Sequence, residues 1–316
     1  MNYEHFGEFL QELRLSRNMT REQLAQGICT PKQIYRIEKG VYEPSLYLIN
    51  QLSIKFNLDL NDYFKMYFTN ITITGLEGIN NINSAIESGD MPLLRSIINK
   101  YEDLEDFKKG ENLQHIYFGK ALCCALLDND YKTSLEYCYK GIHVEYPAFD
   151  LDKISKNMYS NVGISLLNCI AQNFFAMEEF NKGMQVLTEL LTILEIYAIN
   201  SPYPLFKSSQ FSRKTYQGVL YNLGVRLFEH GETKKALNYL ELGIEFSLKE
   251  YNLRYLPNLV FMKFKILYSE KKYEEAREYY NRAVYLSKIA NKTTLLEELV
   301  DTADIDYPEL FKEQNP

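Results

Sequence analysis

The chain has 316 residues, among them 26 Tyr, no Trp and five Cys, and a formal net charge of −7 at pH 7. The acidic balance excludes a protein that coats nucleic acid through overall charge. No apolar run reaches the length of a membrane span, and the length suggests about two domains.

The first predicted element is a helix in which Phe6, Phe9, Leu10 and Leu13 recur on one face. Two helix starts of the same chemistry follow. Thr20 and Thr30 each precede a Gln by three residues, so each can form a capping box, and Pro31 sits at a first helical position, where its missing N–H costs nothing. The helix begun at Thr20 is expected to bury Leu24 and Ile28, and the one begun at Thr30 to bury Ile34 and Ile37. Lys32, Tyr35, Arg36 and Lys39 then point outward, long donors and an aromatic suited to base edges and phosphates. Gln33 lies at the margin of that face, available to cap, to read bases, or to do both. Pro44-Ser45 opens a further helix with Leu46, Ile49, Leu52 and Phe56 inward, Asn57 ends it, and Leu58 to Phe68 can supply a fifth.

Charge is local. Residues 1–68 hold eight Lys/Arg and eight Asp/Glu, so the acidic excess lies in the remainder, while Arg14 to Lys39 holds six basic and two acidic residues. A basic face on an acidic protein suits a reader that needs a specific sequence. The opposing reading is a helical scaffold with a solvated charged face.

Residues 69–78 (TNITITGLEG) are polar, β-branched and Gly-bearing, and are expected to be a loop linker. Beyond them an apolar helix, a short polar turn and a second apolar helix recur. The turns are Gly89-Asp90-Met91, Asn129-Asp130-Tyr131, Glu178-Glu179-Phe180, Gly231-Glu232-Thr233 and Lys271-Lys272-Tyr273, spaced 40, 49, 53 and 40 residues apart. That spacing predicts a helical solenoid with variable loops. The fourth unit is clearest: Leu220, Leu223, Gly224 and Leu227 line one helix, and Ala236, Leu240 and Gly243 its partner. The fifth has Phe264, Leu267, Ala276, Tyr280 and Ala283, and the third Ala171, Phe174, Gly183 and Leu187. The second has Ser134, Cys138 and Gly141, and the first rests on Leu93 and Ile97. The pattern is similar to the tetratricopeptide repeat. The fold class is therefore all-α: a helix-turn-helix domain over 1–68, then a right-handed solenoid of about five helix pairs over 79–316.

The first helices of such pairs line a groove suited to an extended peptide. Asn168, Gln172, Asn222 and Asn258 lie on them, where a side-chain amide can donate to and accept from a peptide backbone. Tyr221, with Tyr117, Tyr159, Tyr216 and Tyr255, can supply apolar walls with a polar tip. Each also has a plain structural reading, Tyr as repeat core and Asn as solvated surface.

The N-terminal segment resembles the helix-turn-helix domain of the lambda, Cro and 434 repressor class. That resemblance implies a structural ion pair between Arg14 and Glu38 and a phosphate contact from Arg21 at a helix N-terminus. Joined to five helix pairs, and on ICTPKQIYRIEKG (28–40), VYEPSLYLI (41–49) and LYNLG (220–224), the whole chain resembles the PlcR branch of the Rgg, Rap, NprR, PlcR and PrgX family of peptide-sensing regulators. The resemblance implies a cytoplasmic homodimer that binds a palindromic DNA operator and holds a short signalling peptide, as in quorum sensing. Asn222 matches an asparagine with which the family holds the peptide backbone. Asn168 and Gln172 match an Asn pair in which Gln replaces the second Asn.

The sequence carries no phosphate loop, His-Glu-x-x-His or paired-Cys motif, so no cofactor, metal or enzyme activity is expected. Cys29, Cys123, Cys124, Cys138 and Cys169 read as small buried hydrophobes in a reducing cytoplasm, with a redox switch as the lesser reading. Two other functions fit the same architecture: a Rap-like protein-interaction regulator, or a helix-turn-helix regulator sensing a small metabolite.

Overall fold

A computed structural model describes residues 5–58, 60–61, 64, 72–199, 210–301 and 303–310. No strand occurs among the described residues. The chain divides into two compact units, Met1–Gly119 and Lys120–Pro316.

The first unit opens with four helices: α1 (Phe6–Ser16), α2 (Arg21–Ala25), α3 (Pro31–Glu38) and α4 (Leu46–Phe56). Both capping boxes form, Thr20 with Gln23 and Thr30 with Gln33. Asn57 closes α4 in the left-handed conformation, which Asn tolerates better than most residues. Phe6, Leu10, Leu24, Ile34, Ile37, Ile49, Leu52 and Phe56 form one core, with Phe9, Leu13 and Ile28 packed at its edge. Two details differ from expectation. The helix begun at Thr20 stops at Ala25, with Gly27 at φ +78°, so Ile28 packs from the turn that follows. Leu46, expected inward, is 62% exposed, and Leu48 is buried in its place. The reason is position: Ser45 caps the helix, so Leu46 is its first residue and faces out beside the cap. The fifth helix expected over Leu58 to Phe68 lies largely outside the described residues.

Gly7 sets how closely α1 meets α3. A Cβ there would stand 1.8 Å from the Ile37 carbonyl oxygen, far inside van der Waals contact, so only a residue without a side chain lets these backbones meet.

The expected linker is corrected in part. Residues 69–71 lie outside the described residues, but 73–78 are the first turns of α5 (Ile73–Ser88), because Thr72 caps the helix by accepting from the Gly75 N–H. Helix α6 (Met91–Tyr101) pairs with α5. Here the inward register is one residue later than expected: Leu94 and Ile98 are buried, Leu93 is 48% exposed and Ile97 is only half-buried. Helix α7 (Gly110–Leu126) follows in the chain.

In the second unit the helices continue as α8 (Tyr131–Glu145), α9 (Asn161–Ala176), α10 (Phe180–Leu194), α11 (Gln210–Glu229), α12 (Thr233–Lys249), α13 (Leu256–Ser269), α14 (Tyr273–Ile289), α15 (Thr293–Asp301) and α16 (Ala303–Asp306). From α8 to α15 each packs on the next, and α11 also touches α9 and α13. The residues expected inside the second to fifth pairs are buried or, at Tyr280, partly buried. Cβ atoms on Gly224 and Gly243 would meet Leu240 and Leu259 side chains at 2.6 and 2.8 Å, so these small residues do set the helix approach.

All five turns named above have their first residue at positive φ: Gly89, Asn129, Glu178, Gly231 and Lys271. The next residue then donates its N–H five residues back in four of them, Asp90 to Ala85, Glu179 to Phe174, Glu232 to Leu227 and Lys272 to Leu267, and six residues back in the other, Asp130 to Cys124. This left-handed cap satisfies the last carbonyls of the first helix while reversing the chain. A sixth turn of the same form, Asn291-Lys292-Thr293, joins α14 to α15, with Lys292 N–H donating to the Ser287 carbonyl. It was not anticipated, because no second helix of regular length follows it.

Candidate DNA interface and peptide groove

Helix α3 presents two faces. Ile34 and Ile37 are buried, while Lys32, Tyr35 and Arg36 are exposed, with Lys39 exposed at the C-cap rather than inside the helix. Gln33 is committed to the cap: its side-chain oxygen accepts from the Thr30 N–H at 3.0 Å. The cations are braced by rings, Arg36 5.7 Å from the centroid of Tyr42 and Arg21 5.1 Å from that of Tyr35.

Beneath this face lies the ion pair expected from the resemblance. Arg14 Nε donates to Glu38 Oε1 at 2.6 Å and its Nη1 to the Met19 carbonyl at 2.8 Å, with Glu38 fully buried. Arg21 Nε also donates to Glu38, at 2.7 Å to Oε2. Arg21 therefore ties the start of α2 to the end of α3 as well as standing at a helix N-terminus. A carboxylate buried with two guanidiniums is hydrogen-bonded on both oxygens, which is the condition for such a charge to be tolerated.

In the second unit the five expected groove residues meet on the side where α9, α11 and α13 touch. Asn222 Nδ2 donates to Asn168 Oδ1 at 3.3 Å, from α11 to α9. One turn along both helices, Arg226 Nη2 donates to Gln172 Oε1 at 3.3 Å. Tyr221 bonds to Asn258 on α13; burial, then the nearby Glu298 carboxylate, raises the Tyr221 phenol above its ordinary pKa. Side-chain Nε2 of Gln172 is buried without a hydrogen-bond partner.

Arg226 was missed by the sequence reading, although it stands four residues after Asn222. Its guanidinium lies 4.9 Å from the Phe175 ring centroid and pairs with Glu229 at 2.9 Å. The tyrosines divide. Tyr221 and Tyr255 lie 6.3 Å apart, ring to ring, beside the polar line. Tyr216 is corrected to core: it is 3% exposed, packs edge-on against Phe246 and is pushed up to about 12 by burial and by Glu195. Tyr159 packs edge-on against Tyr146.

Among the described residues no helix is long and apolar enough to cross a membrane. Nor, among them, is any group of three or more His, Cys, Asp or Glu placed to hold a metal ion.

These features define a class: a helix-turn-helix domain followed by stacked helix pairs. The helix-turn-helix family matches residues 10–63, so the N-terminal segment is a helix-turn-helix domain. No curated protein sequence matches the chain. Solved structures with this fold include Bacillus thuringiensis PlcR in complex with the peptide PapR7 and DNA, with a TM-score of 0.74, 16% identity, and coverage of 95% of this chain and 100% of that one. ComR from S. thermophilus, in complex with DNA and its signalling peptide ComS, gives 0.59 at 16% identity, covering 93% and 96%. Rgg2, the SHP pheromone receptor of Streptococcus dysgalactiae, gives 0.58 at 13% identity, covering 93% and 97%. The chain has the fold of PlcR, ComR and Rgg2.

Proposed function

We propose that this chain is a transcriptional regulator that binds a specific DNA operator as a homodimer and is controlled by a short signalling peptide held on the first helices of its repeats. Residues 1–68 form the reading domain in this proposal, and 79–316 the sensing and dimerising domain, with residues 73–78 helical between them. The observation that carries the reading is the two-faced α3, whose exposed Lys32, Tyr35 and Arg36 stand on a braced scaffold. PlcR and ComR, which share the fold, were solved with both DNA and a peptide.

On α3, Lys32, Tyr35 and Arg36 are assigned to base edges and nearby phosphates, Lys39 and Arg21 to phosphates, and Gln33 chiefly to the cap. In the repeats, Asn168, Asn222, Asn258, Gln172 and Tyr221 hold the peptide. The Asn222–Asn168 amide pair and the guanidinium–amide pair of Arg226 and Gln172 support this reading, since polar side chains on neighbouring first helices reach one another. A peptide backbone can take up the same donors and acceptors, as a strand neighbour would. Peptide binding changes how the two reading domains are held and so their fit to two half-sites.

A library of synthetic linear heptapeptides, screened by retention on the full-length chain and followed by calorimetry of the retained sequences, tests the sensing half. Retained peptides are expected to lose affinity on Asn222→Ala and on Asn168→Ala while the circular dichroism spectrum is unchanged. Unchanged affinity in both variants would place the ligand elsewhere. Retention of small metabolites from a cell extract, with no peptide retained, favours the metabolite-sensing alternative.

A further inference from the structure

Between α8 and α9 the repeat core contains a cluster that neither DNA reading nor peptide holding uses. Ser134 and Cys138 stand four residues apart on α8, Cys169 and Asn173 four apart on α9, and all four side chains are buried. Residues four apart share a helix face, so the two pairs confront each other. The Asn173 amide nitrogen sits among them, 2.8 Å from Ser134 Oγ and 3.8 Å from both Cys138 Sγ and Cys169 Sγ. Ser134, Cys138 and Gly141 are small, which lets α9 approach.

An amide that is 1% exposed is costly to bury unless it has partners. Here the donors of Asn173 are spent on one hydroxyl and two sulfurs. Apolar residues would fill the same space without that cost, as they do elsewhere along α9, where Leu166, Leu167 and Ile170 are buried.

We propose that Cys138 and Cys169 form a modification site, a buried dithiol that hydrogen peroxide closes into an intramolecular disulfide joining α8 to α9. Both sulfurs lie 3.8 Å from the same Asn173 nitrogen, on two helices that pack directly against each other, which is the facing arrangement a disulfide between helices requires. The bond from Cys138, with those from Ser134 and Asn173, lowers the Cys169 thiol below its ordinary pKa; its hydrogen bond with Cys169, together with burial, raises that of Cys138. In this proposal Cys169 serves as the nucleophile, its thiolate favoured by the Asn173 amide one turn along α9. Its thiolate attacks one peroxide oxygen, the O–O bond breaks and hydroxide leaves, giving a sulfenic acid. Cys138 sulfur then displaces the second oxygen as hydroxide and forms the S–S bond. Two thiols and one peroxide become one disulfide and two waters, with two electrons passing from sulfur to oxygen. The buried site admits a small oxidant in preference to a bulky disulfide. Because α9 carries Asn168 and Gln172, the cross-link fixes a helix that bears half of the polar line, a consequence that rests on the functional reading above; the disulfide itself does not.

The test is to expose reduced full-length protein to hydrogen peroxide, alkylate the remaining thiols in denaturant with N-ethylmaleimide, digest without reductant and map the peptides by mass spectrometry. The expected result is a linked pair of peptides carrying Cys138 and Cys169 and the loss of two alkylatable thiols, both reversed by dithiothreitol. Cys138→Ser is expected to abolish the link and leave Cys169 as a sulfenic acid that dimedone traps, and Asn173→Leu to slow oxidation several-fold. Continued alkylation of both cysteines under conditions that oxidise Cys29 or Cys124, or a link between a different pair in place of this one, overturns the assignment.

Discussion

Lys32 and Arg21 are both basic and both near the expected DNA surface, yet the structure gives them different work. Lys32 is exposed on the first turn of α3 with no bond to the scaffold among those described, whereas Arg21 is tied to Glu38. Lys32→Ala is therefore expected to relax preference at one operator position, by roughly 1–3 kcal/mol. Arg21→Ala is expected to weaken all sequences alike and to reduce the salt slope by about one. Fluorescence anisotropy across a panel of duplexes at several salt concentrations separates the two; the same response from both would remove the distinction between reading and positioning. His115 offers a pH test. It is buried in α7, and desolvation by burial holds its imidazole below the ordinary value despite an acceptor at the Glu111 carbonyl. The unfolded chain then binds the proton more readily than the folded one, so this residue's contribution to stability is full above the unfolded pKa and is lost as pH falls from there through the lower, folded pKa. Urea midpoints measured between pH 7.5 and about 5.5 are expected to fall more steeply for the native chain than for His115→Gln, and parallel curves would refute this. At this scale the sequence revealed much: the Thr-x-x-Gln pairs name their own partners, and the apolar spacing of α3 names its outward residues. Arg226 was hidden because its role comes from Phe175 and Gln172, more than fifty residues earlier, which no local pattern connects to it.

Helices and turns were readable where short polar turns interrupt apolar runs, and less so where they do not. Each of the five expected turns was found, because a reversal through a left-handed residue leaves a polar gap of fixed length. The α6 register was read one residue early because Leu93 and Leu94, and Ile97 and Ile98, are adjacent apolar pairs whose inner members only packing selects. Residues 73–78 read as a loop from their glycine and β-branched content, but the Thr72 cap and the apolar positions Gly78, Ile82 and Ala85 on one buried face make them helical. Two substitutions test this level. Gly7→Ala places a methyl against the Ile37 carbonyl, and is expected to cost about 1–3 kcal/mol, unfolding the helix-turn-helix domain at lower denaturant while the repeat signal is unchanged. Lys271→Gly removes the strain of a side chain at φ +60° and is expected to raise stability by about 0.5–1 kcal/mol, the left-handed cost less the added freedom of the unfolded chain. Urea denaturation followed by circular dichroism checks both; a neutral Gly7→Ala or a destabilising Lys271→Gly would contradict the account.

For the whole molecule, charge and architecture point the same way. An acidic chain with a local basic face is repelled by nucleic acid except where specific contacts repay the approach. In the proposed function, selectivity rests on the few residues exposed on α3. The repeats of the second unit bring Asn168, Gln172, Tyr221, Asn222 and Asn258 to one side, a set whose members come from three helix pairs and whose meeting depends on the stacking of those pairs. That stacking was foreseeable from the repeat spacing, whereas the particular bonds were not, since they depend on the rotation of each helix about its axis. The central claim, that this chain reads a DNA sequence through α3, is tested most directly by selecting from a random duplex library with the full-length protein and sequencing what is retained. The account predicts enrichment of one motif of two related half-sites, lost when Lys32 and Arg36 are both changed to Ala; retention without an enriched motif, or the same motif retained by the double variant, would contradict it.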